Sequence, residues 1–314
     1  MTGLVISNLG SRYEVLPDGA DSPVLCAAKG NLRIKGIRTT NPVAVGDRVV
    51  FTHASDGEIA YITAIEPRRN YIIRRASNLS KESHILAANI DRAILVATLV
   101  HPETSTTFID RFLATAEAYD IPAMLVINKI DLLTEPDDVA LLEAVANLYR
   151  TVGYPVVLTS VRTGQGLDTL RELLAGQTSL LSGNSGVGKS SIINALIPGA
   201  TAATAAVSDA TDSGTHTTTS SHMYDLPGGG RLIDVPGVRG FGTLDFDKYE
   251  VGHFFPEIFE ESRNCRFSNC THTEGEPGCA VIRALNDHRI AQSRYASYLS
   301  ILTNDATQSN QKYR

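Results

Sequence analysis

The stretch "MLVINKID", Met124 to Asp131, is an apolar strand-like run that ends in an amide and a carboxylate, and "LLSGNSGVGKSS", Leu180 to Ser191, follows downstream. The order of these two stretches decides the fold. The second matches G-x-x-x-x-G-K-[ST] in full, after an apolar strand and at the opening of a helical pattern. Its glycines Gly183, Gly186 and Gly188 let successive backbone N–H groups, with those of Asn184, Ser185, Val187 and Ser191, curl around phosphates. Lys189 then reaches the β- and γ-phosphates, and the Ser190 hydroxyl ligates Mg2+. An unrelated glycine-rich turn is the alternative, and the strand-loop-helix context argues against it.

The tetrapeptide Asn128 to Asp131 selects the base. An Asp131 carboxylate can accept hydrogen bonds from guanine N1–H and from its 2-amino group. Adenine offers no such donor pair at that edge and would leave a buried carboxylate unpaired. Asn128 is expected at the O6/N7 edge and Lys129 along the ring. In "LTSVRTGQG", Leu158 to Gly166, Ser160 and Val161 are expected to close over O6. Further on, "LIDVPG", Leu232 to Gly237, is a strand ending in Asp234, a Walker-B-type carboxylate that holds Mg2+ through water, with the Gly237 N–H placed to sense the γ-phosphate. Between them lies "THTTT", Thr215 to Thr219, in a stretch poor in large apolar residues and expected to be mobile. Either Thr217 or Thr218, with Thr218 the first choice, completes the Mg2+ coordination. His216 is either a merely exposed histidine or the group that orients the attacking water. Val238, where Ras-like enzymes use a glutamine, cannot do so. The candidate catalytic residues are thus His216, Lys189, Thr217 and Thr218.

A second constellation lies near the end of the chain. "CRFSNCTHTEGEPGC" has the spacing C-x4-C-x-H-x6-C, through Cys265, Cys270, His272 and Cys279. Three thiolates and an imidazole can close a tetrahedral Cys3His zinc site with no position left for water, which makes it structural. A disulfide reading strands one cysteine and ignores His272. Cys26, alone in a strand-like stretch, is read as a small buried hydrophobe.

The 314 residues suit two or three domains, and an apolar content of 43% supports real burial. No run is long and apolar enough to span a bilayer, and the first residues lack a basic segment followed by an apolar core, so a cytoplasmic, membrane-free protein is expected. Net charge is -6 but uneven: residues 1–75 carry 10 Lys+Arg against 7 Asp+Glu (+3), residues 76–245 carry 10 against 18 (-8), and residues 246–314 carry 8 against 9 (-1). A basic start joined to an acidic centre leaves room for a phosphate-rich partner at one end, although such a balance is commonly a solvated surface. Residues 1–72 read as five or six short strands separated by turns, a small barrel of OB type first and SH3-like second. "PRRNYIIRR", Pro67 to Arg75, leads into residues 73–245, where apolar strands alternate with helical patterns as in a mostly parallel sheet covered on both faces. Residues 246–314 read as helical and zinc-binding, with a polar, frayed tail.

Base reader, base-closing loop, phosphate loop, magnesium threonine and "DVPG" therefore occur in that order. An ordinary GTPase domain cut before its fourth core strand, with its old ends joined, produces this order and keeps every spatial relation. On these residues the chain resembles the RsgA-type (YjeQ/YloQ-like) circularly permuted GTPases, in three parts: an OB-fold, a permuted α/β P-loop GTPase domain and a helical zinc-binding domain. The resemblance implies a bacterial factor of late 30S ribosomal subunit maturation that contacts 16S rRNA, acts without DNA, is monomeric, and hydrolyses GTP to GDP under stimulation by the subunit. It puts the family's "HTT" signature on His216, Thr217 and Thr218 and its zinc ligands on Cys265, Cys270, His272 and Cys279. Two departures stand out: Val235 where the family commonly has threonine, and Thr215 where arginine or glutamine is usual. Val235 is expected to point away from the nucleotide. A GTPase switch acting on a protein partner, and an RNA-binding module with a vestigial nucleotide site, are the competing readings. Intact Lys189, Ser190, Asp234 and Asp131 argue against the second.

Overall fold

The computed structural model describes residues 1–29, 42–53, 59–75, 83–200, 221–235 and 248–303. Alternating apolar and polar positions in the first segments produce five strands among the described residues, β1 (Thr2–Asn8), β2 (Arg12–Pro17), β3 (Val24–Ala28), β4 (Arg48–His53) and β5 (Ala60–Ile65). They run in the order β1-β2-β3-β5-β4, and β1 also pairs with β4, so the barrel closes. Only β3 and β5 pair in parallel, as expected of the Greek-key OB-type barrel. Val5, Val15, Phe51 and Ile62 fill it, and Cys26 lies fully buried among them. One of the strand-like segments within residues 1–72, Leu32 to Lys35, lies outside the described residues.

The segment read as a connector contains a strand, β6 (Tyr71–Arg75), which pairs antiparallel with β7 (Ser83–Ala88). The two strands form a separate sheet, and Val45 of the barrel bridges to Ala87. After it come β8 (Arg92–Ala97), α1 (Thr106–Ala118), β9 (Ala123–Ile127), α2 (Pro136–Val152), β10 (Val156–Leu158), α3 (Leu167–Leu174), β11 (Thr178–Ser182), α4 (Lys189–Leu196), β12 (His222–Asp225) and β13 (Arg231–Asp234). Local signals set the helix ends. The Ser105 hydroxyl accepts from Phe108 N–H at the start of α1. In α2, Pro136, Asp137 and Asp138 open the first turn and Gly153, at φ 112°, stops the last.

The sheet order is β10-β9-β8-β11-β13-β12, parallel except for the last pair. Because side chains alternate along a strand, Ala93, Leu95 and Ala97 of β8 face one core with Phe112 of α1 and Tyr149 of α2. Ile94 and Val96 face the other, with Leu170 of α3 and Ile193 of α4. Both faces are covered, which explains why β8 and β9 read as unbroken apolar runs. The outer strand β12 is not an edge. The barrel's β1 pairs with it at Ser7↔His222, so both domains share one continuous sheet.

The last segment folds into α5 (Pro256–Ser262), α6 (Ala280–Asn286) and α7 (Gln292–Leu302), packed on α1 through Phe255, Tyr295, Tyr298 and Ala114. The tail beyond residue 303 lies outside the described residues. No helix among the described residues is long and apolar enough to cross a membrane.

Candidate nucleotide site and metal centre

In a parallel sheet the strand C-terminal ends gather ligand-binding turns on one side. The turn after β11 carries Gly183, Asn184, Ser185, Gly186, Val187 and Gly188, and Lys189, Ser190 and Ser191 begin α4. Two of its glycines are sterically required. A Cβ on Gly183 would lie 2.3 Å from the Val96 carbonyl oxygen, and one on Gly188, at φ 97°, would lie 2.5 Å from Asn128 Nδ2. Lys189 Nζ donates to the carbonyls of Gly183 (2.7 Å) and Asn184 (2.9 Å), which centres the ammonium on the turn. Burial lowers the Lys189 pKa, while the Asp234 carboxylate pulls it back up. Burial likewise raises the pKa of Asp234, at the end of β13, against Lys189 and then His222. The two charges thus act on one another in a partly desolvated site where an anion and a divalent cation would each find a partner.

The residues expected to read the base follow β9, two strands away. Asn128, 3% exposed, is gripped from both sides: its Nδ2 donates to the Val187 carbonyl at 2.9 Å, and its Oδ1 accepts from Thr159 Oγ at 3.1 Å. This makes the two motifs one site, since Val187 belongs to the phosphate-loop turn. Lys129 adopts a left-handed conformation at φ 61° and donates to the His101 carbonyl at 2.6 Å. Asp131 Oδ1 accepts from Ser160 Oγ at 2.5 Å and its Oδ2 from Arg162 Nε at 2.6 Å. The Ser160 bond first and the Arg162 bond second hold the Asp131 carboxyl below the usual carboxylate range. Ser160 is fully buried, and Val161 packs on the core beside α3 and α4.

Val235, 5% exposed, packs into the core on the α1/α2 face, so a valine there is a packing residue. His216, Thr217, Thr218 and Gly237 lie outside the described residues, as does the rest of the stretch expected to be mobile. Thr159 and Arg162 were not singled out by the motifs, although both fall in the quoted "LTSVRTGQG". A threonine at a strand end and an exposed arginine carry no spacing signature of their own.

Among the C-terminal helices, Cys265, Cys270, His272 and Cys279 converge with their ligand atoms all within 4.8 Å of one another. Cys265 and Cys279 Sγ lie 3.6 and 3.7 Å from His272 Nδ1 and 4.0 Å from each other. Tetrahedral zinc with sulfur ligands at about 2.3 Å requires sulfur pairs about 3.8 Å apart, so the donor set fits. Ala280 and Ile282 N–H groups point at Cys265 and Cys279 Sγ at 3.3 and 3.5 Å, and Tyr295 hydroxyl fixes the His272 carbonyl at 2.8 Å. Such outer contacts are those that orient metal ligands.

Residues 65–244 match the family described as RsgA GTPase, and residues 2–62 match the RsgA N-terminal domain. The chain is 59% identical to the small ribosomal subunit biogenesis GTPase RsgA of Porphyromonas gingivalis over 97% of each chain, and 55% identical to that of Bacteroides fragilis over 96% of each. Among solved structures it is similar to YjeQ from Thermotoga maritima, with 33% identity and a TM-score of 0.76 over 96% of this chain and 97% of that one. It is also similar to YloQ, a circularly permuted GTPase, with 31% identity and a TM-score of 0.70 over 96% and 94%.

Proposed function

This chain belongs to the RsgA family of circularly permuted GTPases, and from that premise we propose how its residues serve a GTPase of small ribosomal subunit biogenesis. The observation that carries the reading is the 2.9 Å bond from Asn128 to the Val187 carbonyl, which joins base reader and phosphate loop across 59 residues of sequence. Asp131 reads the guanine N1–H and 2-amino group, Asn128 and Lys129 border the ring, and Ser160 and Val161 close the O6 edge. The backbone from Gly183 to Ser191 cradles the phosphates, with Lys189 against the β- and γ-phosphates. Ser190, Asp234 and Thr218 or Thr217 are the Mg2+ partners; the ion supplies charge neutralisation of the phosphates. Gly237 senses the γ-phosphate and His216 orients the attacking water.

Zinc is the metal that suits the Cys3His cluster, in a structural role. The proposed units are residues 1–72, an RNA-binding barrel, residues 73–245, the GTPase, and residues 246–314, the zinc domain. Val238 cannot orient water, so unassisted hydrolysis should be slow and the 30S subunit should accelerate it by ordering the stretch around His216. GTP would hold the flanking domains in an rRNA-binding arrangement, and hydrolysis would release them. Turnover of GTP by the purified chain, with and without 30S subunits, tests this directly. A rise of at least an order of magnitude is expected, and equal rates would discard the reading.

A further inference from the structure

The carboxylate of Asp131 offers about four lone-pair positions, two on each oxygen. Ser160 Oγ occupies one on Oδ1 and Arg162 Nε one on Oδ2, at 2.5 and 2.6 Å. One position per oxygen is left, and guanine presents two donors at that edge, N1–H and the 2-amino group. Four donors then meet four lone pairs. The two protein donors come from one turn, Ser160 from its buried wall and Arg162 from its rim, with the Arg162 side chain 71% exposed and that of Asp131 only 9%. Thr163 N–H also donates to Ser160 Oγ at 3.2 Å, so the hydroxyl has its own anchor and its proton is directed to Asp131.

We propose that Arg162 is a positioning residue for base selection: together with Ser160 it clamps the Asp131 carboxylate from both ends, so that both oxygens present an unshared lone pair to the two guanine donors. The proposal rests on the assignment of Asp131 as the guanine reader. Its physical basis is directional. Ser160 alone ties down one oxygen and leaves the carboxylate free to rotate about its χ2, whose preference is broad. A second, charge-assisted bond at the other oxygen sets the plane. Such a clamp matters most for a ligand that uses both oxygens. Inosine nucleotides lack the 2-amino group and use one.

The test is equilibrium binding of GDP and IDP to the full chain and to Arg162→Ala and Arg162→Lys, with circular dichroism as a fold control. In Arg162→Ala, GDP affinity should fall about fivefold, the scale of one partly exposed charged contact, while IDP affinity changes less than twofold, so that the preference for GDP narrows. Arg162→Lys keeps the charge without the fixed guanidinium geometry and should restore little of that preference. Equal weakening of GDP and IDP, an unchanged preference in Arg162→Ala, or full rescue by lysine would each overturn the clamp. Asp131→Asn separates the two levels of the argument, because an amide can donate to the 2-oxo group of xanthine where a carboxylate cannot. If that variant fails to shift preference from GDP towards XDP, the base-reader assignment itself falls. If it shifts and Arg162→Ala has no selective effect, only the clamp falls.

Discussion

At the barrel junction two regions share a sheet, whereas at the junction with the C-terminal helices two regions share a buried ion cluster. On the barrel side, β1 lies against β12 with Asn8 N–H donating to the Ser221 carbonyl at 3.1 Å, and the nearby Arg69–Asp91 ion pair has side chains 60% and 32% exposed. On the other side, Arg294, 1% exposed, donates from Nη1 to Asp110 of α1 at 2.8 Å and forks onto Glu257 of α5 at 2.6 and 3.0 Å. Tyr149 of α2 donates to the same Asp110 oxygen at 2.9 Å, and the Arg294 guanidinium lies 4.6 Å from the Phe255 ring centre. A main-chain ladder is nearly indifferent to side-chain identity and can lengthen or shear by small steps. A desolvated ion cluster tolerates no partial separation, because each charge left behind is uncompensated. The C-terminal helical domain is therefore held to α1 by charges that do not separate singly, whereas the barrel is held by apolar contacts of Leu4, Ile6 and Val45 with the α1/α2 core and by a main-chain ladder. That attachment falls on β12, which directly follows the stretch holding Thr217 and Thr218 and is paired with β13, the strand of Asp234.

The largest test of this contrast is metal removal from the full chain. Structural zinc contributes on the order of 10 kcal/mol to small metal domains, so chelation should release hydrogen-exchange protection in α5 to α7 while that of β1 and β12 persists. Equal loss in the barrel would break the comparison. Next comes Arg294→Met, which strands Asp110 and Glu257 and should cost about 3–5 kcal/mol in urea unfolding; a loss below about 1 kcal/mol would mean that the cluster is not what binds the domain. Replacing the whole cluster together, Asp110→Leu, Tyr149→Phe, Glu257→Met and Arg294→Met, should bring stability back to within about 1 kcal/mol of the parent chain, since the stranded charges and the unpaired hydroxyl are gone. The smallest effect is expected from Asn8→Pro, which deletes one ladder donor. It should cost about 1 kcal/mol and should raise exchange in β12 without altering the C-terminal helices.

Much of the site was legible because its chemistry is local. The phosphate loop sits within one turn, and the Cys3His cluster within fifteen residues, Cys265 to Cys279. The alternation of apolar strands with helices matched the sheet closely, from β8 to β13. What escaped was of another kind. Strand β6 hid in a stretch that reads as a basic connector, since Arg74 and Arg75 break its apolar alternation, and its partner β7 beyond it went unread. Thr159 and Arg162 are ordinary in sequence and acquire a role only when the turn after β10 folds against the turn after β9. Asp110 and Arg294 each look like surface residues of amphipathic helices, yet both are buried.

The sequence by itself determined which groups are candidates to hold phosphates, a guanine edge and a tetrahedral metal, and, through the early place of Asn128 to Asp131, that the GTPase core is circularly permuted. These are matters of residue type and short spacing, and a turn or a strand end places such groups almost regardless of what surrounds it. Only the tertiary structure decided that β1 completes the sheet beside β12, that Arg294 neutralises Asp110 across 184 residues, and that Asp131 is held from two sides. Those contacts depend on which faces pack together, and burial, not spacing, makes a polar residue take one partner and not another.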